Sequence, residues 1–579
     1  MMGGLRVSDE ELKALLVTQL EVMDESEFEK VRTLAARFKI PFEQAVVERG
    51  GVPLRFLLEQ LSKAWGVEFA ELRASTVDPE AMRTIPEEYA RSHLLIPFDR
   101  KDGQLHVAMW DPRDQSAITE IQRMAWMNVV PHLATDTAIH RALLLYKGDL
   151  RAILERIVEK AHAAGPDEAD HEGKSAFELL DSVLEYAAVS EASDIHIEPY
   201  ELEGVIRFRV DGALQDVLSL PPSTLPSLIA RIKILSEMRI DEKRAPQDGR
   251  FDATFGGLRL DLRVSSIPTH WGEKVVIRVL SKERSLLDLE DLGLAPADRA
   301  IILRNIQRPF GMILVSGPTG SGKTTTLYAT VNRLHIERHN IVNISTVEDP
   351  VEYTIPRVNQ ISINPVAGMS FASGLRALLR QDPDVIMVGE VRDQETVEMA
   401  VRAALVGRLL LSSLHTNDAT GAVPRLLDMG VEPFLINSTL ALVVAQRLVR
   451  RICVHCRQSV PLDVGTLERL RDRSDYEDTL RVLQSQGILG KAADPLSGIH
   501  VFRGKGCPQC LGTGYRGRLG VFELFEINDR IREMILARAD ASAIRNVAIA
   551  GGMRTMFWDG LAKAFMGETT IEEIFRVAL

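Results

Sequence analysis

Residues 317–324 are the feature that most narrows what this chain can fold into. They read Gly-Pro-Thr-Gly-Ser-Gly-Lys-Thr, which fits the pattern G-x-x-x-x-G-K-S/T. A strand-like run at residues 312–316 enters the segment, and a helix-forming run leaves it. Glycines let successive backbone N–H groups turn inward, and a helix N-terminus adds partial positive charge. The segment therefore predicts a P-loop that grips the phosphates of a nucleotide.

Two residues of this loop have specific expected roles. Lys323 is expected to reach the β- and γ-phosphates, and the Thr324 hydroxyl is expected to hold Mg²⁺. The candidate nucleotide-binding residues are Gly317, Pro318, Thr319, Gly320, Ser321, Gly322, Lys323, Thr324 and Thr325.

Strand-like runs alternate with helical segments through the C-terminal half of the chain. This rhythm predicts a parallel sheet covered by helices on both faces, which is an α/β architecture. In such sheets, ligands bind where loops leave the carboxyl ends of the strands. The predicted strands are residues 312–316, 340–346, 384–388 and 408–414.

Carboxylates and a histidine follow three of these strands. One strand runs into Glu348, Asp349 and Glu352, and the next delivers Glu390. Fast hydrolysis at a P-loop needs an acid to orient water and complete the Mg²⁺ shell, so these acids are candidates. His415 follows the fourth strand. The residue alone leaves a structural hydrogen bond and a phosphate contact equally open, and its position at the same sheet edge favours the phosphate contact.

The four cysteines of the chain fall into two C-x-x-C pairs, Cys453 with Cys456 and Cys507 with Cys510. This spacing is typical of a tetrahedral S₄ site for Zn²⁺. Four thiolates leave no open coordination position, so a structural role is expected. A redox role is the alternative.

The region before the P-loop predicts a small α+β domain. Residues 163–174 lack periodicity and large apolar side chains, as a linker does, and a helix is expected from about residue 175 to residue 189. The further predicted elements are strands at residues 194–198, 204–210, 258–264 and 274–280 and a helix at residues 225–237.

The N-terminal region begins with a helical pattern. Ser8 and Glu11 form a plausible capping box. Apolar residues then recur at helical spacing, which gives one apolar stripe. The stripe either covers the core of its own domain or docks a partner protein. Its residues are Leu12, Leu15, Leu16, Leu20 and Met23.

Charge and apolar patterning exclude several classes of protein. The net charge of −12 disfavours an extended basic groove for nucleic acid. No unbroken apolar run is long enough to span a membrane. The most apolar segment, residues 434–449, predicts a buried helix. The chain turns acidic directly after its start, unlike a secretory signal, so a cytoplasmic location is expected.

Residues 175–579 resemble the GspE/PilB-like secretion ATPases of type II secretion and type IV pilus assembly. The segments that carry this resemblance are residues 193–199, 207–212, 242–244 and 246–250, the P-loop, the Asp box at 348–353, the Walker B segment at 380–393 and the His box at 414–425.

The resemblance implies a RecA-like P-loop ATPase core, preceded by a small α+β (PAS-like) domain and a mostly helical N-terminal domain. The implied divisions are a type II secretion E-type docking domain at 1–150, a helical end and linker at 151–174, the PAS-like domain at 175–285, and the ATPase domain at 286–579 with its tetracysteine zinc subdomain at 450–515 and C-terminal helices.

The resemblance also implies roles for individual residues. Glu352 and Glu390 would share water activation and Mg²⁺ organisation, and His415 would contact the γ-phosphate side. Arg207 and Arg209 of the small domain would reach the nucleotide, because a fixed guanidinium neutralises the charge that develops in phosphoryl transfer. The alternative for these two arginines, which alternate on one strand, is a solvated face.

The implied function is a cytoplasmic homohexamer that uses ATP and Mg²⁺, carries Zn²⁺, and drives a secretion or pilus-assembly machine. Its implied partners are an inner-membrane platform protein and a docking protein, through which it would associate with the membrane. The alternative is a RecA-like motor that moves nucleic acid, against which the acidic balance counts.

Some members of this family bind a cyclic dinucleotide in the N-terminal domain through a motif that contains Arg-Leu-Gly. The nearest segment here, residues 37–42, has Phe38 and Lys39 where that motif has leucine and glycine. The sequence therefore does not predict this ligand.

Overall fold

The structure is a computed structural model that covers two compact units. One unit contains Leu54–Ser285, and the other contains Ser8–Pro53 together with Leu286–Leu579. Among the described residues, no helix has both the length and the apolar composition needed to cross a membrane. The structure describes residues 7–577 except 21, 39, 41, 51, 53, 73–75, 148–151, 158–168, 256, 282–286, 339–340, 474–475, 486, 490–495, 497–498, 508–509 and 511.

Helix α1 (Asp9–Lys13) opens the described chain and continues as a π-helix (Ala14–Gln19), and α2 (Glu25–Phe38) and α3 (Phe42–Gly50) follow. The predicted capping box of α1 is present, since the Glu11 N–H donates to Ser8 Oγ and the Ser8 N–H donates to Glu11. Within the segment compared with the cyclic-dinucleotide motif, Lys39 and Pro41 lie outside the described residues. The predicted stripe is covered within the chain, with Leu12, Leu15, Leu16 and Met23 buried and Leu20 half-buried.

The next region mixes helices with a small sheet. Helices account for most of its elements, as predicted, but the four-stranded sheet in the order β1-β4-β3-β2 was not predicted. Strand β1 has only two residues, too few to show a periodicity. The elements are α4 (Leu54–Trp65), β1 (Glu68–Phe69), α5 (Pro79–Met82), α6 (Glu87–Ser92), β2 (Leu95–Lys101), β3 (Gln104–Met109), α7 (Gln115–Ala125), β4 (Asn128–Leu133) and α8 (Asp136–Leu143).

A six-stranded antiparallel sheet follows in the order β7-β6-β5-β10-β9-β8. Leu180 and Leu184 of one helix and Ile232 of another pack on strand residues such as Ile195 and Ile206, so one face of the sheet is covered. The other face presents charged side chains. The elements are α9 (Ala169–Val189), β5 (Asp194–Pro199), β6 (Gly204–Val210), β7 (Ala213–Leu220), α10 (Leu225–Leu235), β8 (Gln247–Phe255), β9 (Leu258–Thr269) and β10 (Gly272–Ser281).

This region differs from its sequence prediction at two points. Helix α9 begins at Ala169, six residues before the predicted start, and residues 158–168 of the predicted linker lie outside the described residues. Strands β7 and β8 were not predicted. The burial pattern of β8 alternates only between half-buried and exposed, so its sequence lacks a clear apolar face.

The largest sheet has seven strands in the order β13-β12-β14-β15-β11-β16-β19. All neighbours are parallel except β19, which runs antiparallel to β16. The strands are β11 (Gly311–Ser316), β12 (Ile344–Glu348), β13 (Asn359–Ser362), β14 (Val385–Val388), β15 (Leu409–Leu414), β16 (Leu440–Ile452) and β19 (Tyr515–Glu526). A separate two-stranded antiparallel sheet pairs β17 (Arg457–Pro461) with β18 (His500–Gly504).

Helices cover both faces of this sheet, as predicted. Ile313 and Val315 of β11 pack into one core, whereas Met312 and Leu314 pack into another on the opposite face. The described helices of this part are α11 (Pro296–Ile306), α12 (Lys323–Glu337), α13 (Phe371–Leu378), α14 (Gln394–Leu405), α15 (Ala422–Asp428), α16 (Pro433–Thr439), α17 (Val464–Arg471), α18 (Tyr476–Ser485), α19 (Asp529–Leu536), α20 (Ala541–Ala550), α21 (Met556–Phe565) and α22 (Ile571–Val577).

The prediction of one buried helix at residues 434–449 is wrong for most of that segment. Helix α16 ends at Thr439, and the chain continues as β16, which pairs with β11 on one side and β19 on the other. A central strand is buried on both faces, so it has no apolar–polar alternation that would distinguish it from a buried helix.

Candidate active site

The P-loop connects β11 to α12 and lies against β16. A Cβ on Gly317 would come within 2.5 Å of the Gln446 carbonyl oxygen, and one on Gly322 within 2.8 Å of Gln446 Nε2. Gly317 has φ +148° and Gly322 has φ +90°, in the region that favours glycine. The two glycines are therefore required by backbone conformation and by the close approach of β16.

Lys323 begins α12 and folds back over the loop. Its Nζ donates hydrogen bonds to the carbonyl oxygens of Gly317 at 2.9 Å and Pro318 at 3.0 Å. Burial lowers the pKa of Lys323, and the negative charge of Glu390 acts in the opposite direction. The ammonium group thus lies within the loop and within electrostatic reach of the Walker B carboxylate.

Backbone hydrogen bonds join the ends of the four central strands. The Gly317 N–H donates to the Leu414 carbonyl after β11, and the Val391 N–H donates to the Ser413 carbonyl. The Gly389 N–H donates to the Val347 carbonyl at 2.8 Å. Because the four strands are parallel, the predicted motifs that follow them are all brought to one edge of the sheet.

Glu390 and His415 meet at this edge. His415 Nε2 lies 3.3 Å from Glu390 Oε2, and Arg392 Nη2 lies 2.5 Å from Glu390 Oε1. Glu390 is thus held by two side chains from its own sheet edge while its charge acts on Lys323. Lys323, Glu390 and His415 therefore belong to one site.

The two glutamates of the Asp box differ in burial. Glu348 is buried and accepts hydrogen bonds from Thr346 Oγ1 at 2.5 Å, Gln360 Nε2 at 3.1 Å and the Tyr328 hydroxyl. Burial raises its pKa, and these hydrogen bonds act in the opposite direction. Glu352 is half-buried. Glu348 is therefore an internal anchor, and Glu352 stays the catalytic candidate of this segment.

The other loop residues suit a Mg²⁺-bound nucleotide. Thr319, Gly320 and Thr324 are exposed, and Thr325 is half-buried at the N-terminus of α12. An exposed hydroxyl can bind Mg²⁺, and a helix N-terminus and a buried ammonium group can bind the triphosphate. Ser321 is buried beneath the loop.

The predicted arginines lie on β6, in the Leu54–Ser285 unit, whereas the residues above belong to the other unit. Arg207 lies 3.3 Å from Glu198 and 3.0 Å from Asp216, and Arg209 lies 3.5 Å from Asp194. Burial alone would raise the pKa of Glu198, but hydrogen bonds from Lys274, Tyr200 and Arg207 lower it to about 2. The predicted contact of these arginines with a nucleotide stays a prediction.

The four cysteines form one cluster, in which all Sγ atoms lie within 4.8 Å of one another. Cys453 Sγ lies 3.8 Å from Cys507 Sγ, and Cys456 Sγ lies 3.8 Å from Cys510 Sγ. A tetrahedron with Zn–S bonds of about 2.3 Å has S–S edges of roughly 3.8 Å. The cluster is therefore compatible with Zn²⁺.

Two residues of the site were missed by the sequence analysis. The positive charge of Arg447 on β16 lowers the pKa of Lys323. The sequence analysis missed this residue because its segment was assigned to a helix. Tyr328 on α12 contacts the Asp box, and it was missed because a tyrosine within an apolar helix pattern carries no signal of its own.

A P-loop on a parallel sheet, with a carboxylate and a histidine from neighbouring strand ends beside it, defines a RecA-like P-loop ATPase. Comparison with protein families gives the narrower assignment. The family model described as type II/IV secretion system protein matches residues 169–576, and the MshEN domain matches residues 65–153. The chain belongs to the type II/IV secretion system protein family.

Curated relatives cover nearly the whole chain. It is 38% identical to the type IV pilus assembly ATPase PilB of Myxococcus xanthus over 92% of each chain. It is also 38% identical to PilB of Thermus thermophilus, spanning 58% of that protein's length. Identity to the type II secretion system protein E of Pectobacterium carotovorum is 41%, over 85% of this chain and 96% of that protein. These relatives give no support to the nucleic-acid alternative.

Proposed function

We propose that this chain hydrolyses ATP to power a type II secretion system or a type IV pilus assembly machine. The observation that carries the proposal is the meeting of Lys323, Glu390 and His415 at one sheet edge beside the P-loop. The family supports the choice of ATP as substrate, and the names of the relatives support the choice of machine.

The site's charges suit the phosphates and the hydrolysis step. Lys323 would exchange its bonds to loop carbonyls for β- and γ-phosphate oxygens. Thr324 and Glu390 would hold Mg²⁺, which supplies further charge neutralisation when bound. Water attacks the γ-phosphorus as the bond to the β,γ-bridging oxygen breaks, and Glu352 and Glu390 would share the orientation of that water and the removal of its proton.

His415 would act on the γ-phosphate, and Arg207 and Arg209 would act between subunits. His415 would contact the γ-phosphate side and, through Glu390, register whether the phosphate is present. The side chains of Arg207 and Arg209 are 30% and 36% exposed, which leaves them able to reach a nucleotide as domains close. In a homohexameric ring, such closure would couple each site to its neighbour.

The assembled ring would work in the cytoplasm, against an inner-membrane platform protein. The N-terminal region would bind the docking protein and so hold the ring peripherally at the membrane. The four cysteines would hold one structural Zn²⁺ per chain. The membrane protein that co-purifies with the full-length chain would distinguish secretion from pilus assembly.

Loss of Lys323 tests the proposal directly. Lys323→Ala should abolish ATP turnover while the fold and the bound zinc are retained, because the ammonium contacts loop carbonyls rather than the core. Lys101→Ala, at an exposed lysine of the N-terminal region, is the matched control. Steady-state phosphate release measures both. Hydrolysis by Lys323→Ala at the control rate would overturn the assignment of the P-loop.

A further inference from the structure

Tyr328 joins the P-loop helix to the Asp box through a single hydroxyl group. It lies on α12, five residues after Lys323, and its side chain is fully buried. Its hydroxyl donates to Glu348 Oε2 and accepts a hydrogen bond from the Glu352 N–H at 3.1 Å. Its ring packs edge-on against Tyr353, with the ring centroids 4.3 Å apart. Tyr328 therefore contacts the segment on both sides of Pro350.

Glu348 determines the direction of these hydrogen bonds. Thr346 and Gln360 both donate to Oε1 of Glu348, which leaves Oε2 to accept the Tyr328 proton. Once that proton is committed to Glu348, the Tyr328 oxygen is available as an acceptor. The Glu352 N–H fills this acceptor position. The two hydrogen bonds thus run in one direction: the Glu352 N–H donates to the Tyr328 hydroxyl, and that hydroxyl donates to the buried carboxylate.

Other anchors hold the same segment from a different side. The Val351 N–H donates to Ser362 Oγ at 3.2 Å, and the Ile355 N–H donates to Gln360 Oε1 at 2.6 Å. Ser362 and Gln360 belong to β13, which is an outermost strand of the sheet. The Tyr328 contact differs in origin, because it comes from the helix whose N-terminus carries Lys323 and Thr324. A shift of α12 would therefore be passed to the backbone of Glu352.

We propose that Tyr328 is a positioning residue for ATP hydrolysis, which fixes Glu352 relative to the helix that holds the phosphates. This inference rests on the proposed role of Glu352 in orienting water. A displacement of about 1 Å in a group that positions a reactant lowers a rate by up to roughly a hundredfold. The contribution of Tyr328 should therefore appear in the turnover number rather than in nucleotide affinity.

Tyr328→Phe tests this inference by removing only the hydroxyl. The expected result is a kcat reduced roughly tenfold or more, with KM for ATP within about twofold of wild type. Tyr515→Phe is the matched control, because it removes another hydrogen-bonded hydroxyl, 2.9 Å from Thr570 Oγ1, in the same unit. Amide hydrogen exchange of a peptide spanning residues 351–356 should accelerate in Tyr328→Phe and not in Tyr515→Phe.

A double variant separates the inference from the proposed function. If Tyr328 acts through Glu352, adding Tyr328→Phe to Glu352→Gln should cause no further loss of kcat. A further loss, or a wild-type kcat for Tyr328→Phe alone, would overturn the inference. A fully active Glu352→Gln would instead overturn the proposed role of Glu352.

The buried carboxylate requires a second version of the test. Removing the Tyr328 hydroxyl takes one hydrogen bond from Glu348, which destabilises a buried charge. If Tyr328→Phe does not fold, the same kinetic comparison is made between Glu348→Gln and Glu348→Gln with Tyr328→Phe, in which position 348 is neutral. An equal kcat in these two variants would overturn the inference.

Discussion

Lys323 and two arginines form a charged group at the P-loop, in which Glu390 acts on Lys323 and Arg392, Asp349 on Arg392, and Asp418 on Arg447. Arg447 and Arg392 both act on Lys323 with their positive charge, and Glu390 is the carboxylate that acts on it. Arg447 is held in place by bonds from Nη2 to the Asn417 carbonyl at 3.2 Å and from Nε to the Val577 carbonyl at 3.3 Å. Lys323 is buried and Arg447 is half-buried, so their positive charges favour the binding of an anion.

Arg447→Gln should weaken ATP binding. Loss of one cation from a partly buried site is worth roughly 1.4 kcal/mol, or about a tenfold rise in Kd. Arg451→Gln is the control, since Arg451 lies on the same strand but is 47% exposed and pairs with Glu568. Titration with a fluorescent ATP analogue measures both variants. Equal affinities would show that Arg447 has no electrostatic role in nucleotide binding.

His335 makes the stability of the P-loop helix depend on pH. It is buried on α12, neither ring nitrogen has a hydrogen-bond partner among the described residues, and burial lowers its pKa to about 4. The unfolded chain binds a proton at this residue below about pH 6.5, whereas the folded chain does so only near pH 4. The contribution of neutral His335 to the free energy of unfolding is therefore fully present above pH 6.5 and is lost as the pH falls toward 4.

His335→Leu should remove this dependence. The melting temperature of the variant relative to wild type should rise as the pH is lowered from 7.5 to 5. Only the wild type must release a proton from residue 335 when it folds in this pH range. His500→Leu, at an exposed histidine of the same unit, is the control. Thermal unfolding followed by circular dichroism at several pH values measures this, and a flat difference for His335→Leu would contradict it.

At the scale of elements, β16 links the nucleotide loop to the cysteine cluster. It pairs with β11, passes under the P-loop, where Gln446 accepts a hydrogen bond from Thr326 at 2.6 Å, and ends just before Cys453. Cys456 precedes β17, Cys507 follows β18, and Cys510 precedes β19. The cluster therefore joins the ends of four strands, and a metal there would stabilise the end of β16.

Loss of a cysteine ligand should release zinc and loosen these strand ends. Purified wild type should contain about one zinc per chain, and Cys507→Ser should contain markedly less, because a serine hydroxyl is a poor replacement for a thiolate. Ser459→Ala, on the neighbouring β17, serves as the control. Elemental analysis measures the metal, and amide exchange in β17 and β18 measures the loosening. Full zinc content in Cys507→Ser would exclude this site.

At the scale of the whole molecule, the residues of the proposed site belong to two different units. The P-loop, Glu390 and His415 belong to one unit, and Arg207 and Arg209 belong to the other. Arg207 is already paired with Glu198 and Asp216, and Arg209 with Asp194. Under the proposed function, a nucleotide's phosphates would compete with these carboxylates for the two arginines, so hydrolysis should depend on assembly of the ring.

Arg209→Ala should lose ATP turnover while nucleotide binding at the P-loop is retained. The expected loss is roughly a thousandfold, the lower end of the range for an arginine that stabilises the transition state. Arg259→Ala, at an exposed arginine of the same sheet, is the control. Wild-type activity per chain should also rise with protein concentration as rings form. Turnover by Arg209→Ala equal to the control would show that this arginine belongs to a solvated face.

Features set by neighbouring residues could be predicted from the sequence alone. The strand, glycine turn and helix around Lys323, the C-x-x-C spacing, and the acids and histidine that follow three strands are local patterns. The structure brings the P-loop, Glu390 and His415 to one edge of the sheet and places the four cysteines together in a separate cluster. Tertiary structure alone decided that residues 440–452 form a central strand, that Arg447 lies near Lys323, and that Tyr328 bridges Glu348 and Glu352. Those contacts join residues 20 to 124 positions apart, so they depend on how the elements pack rather than on any local periodicity.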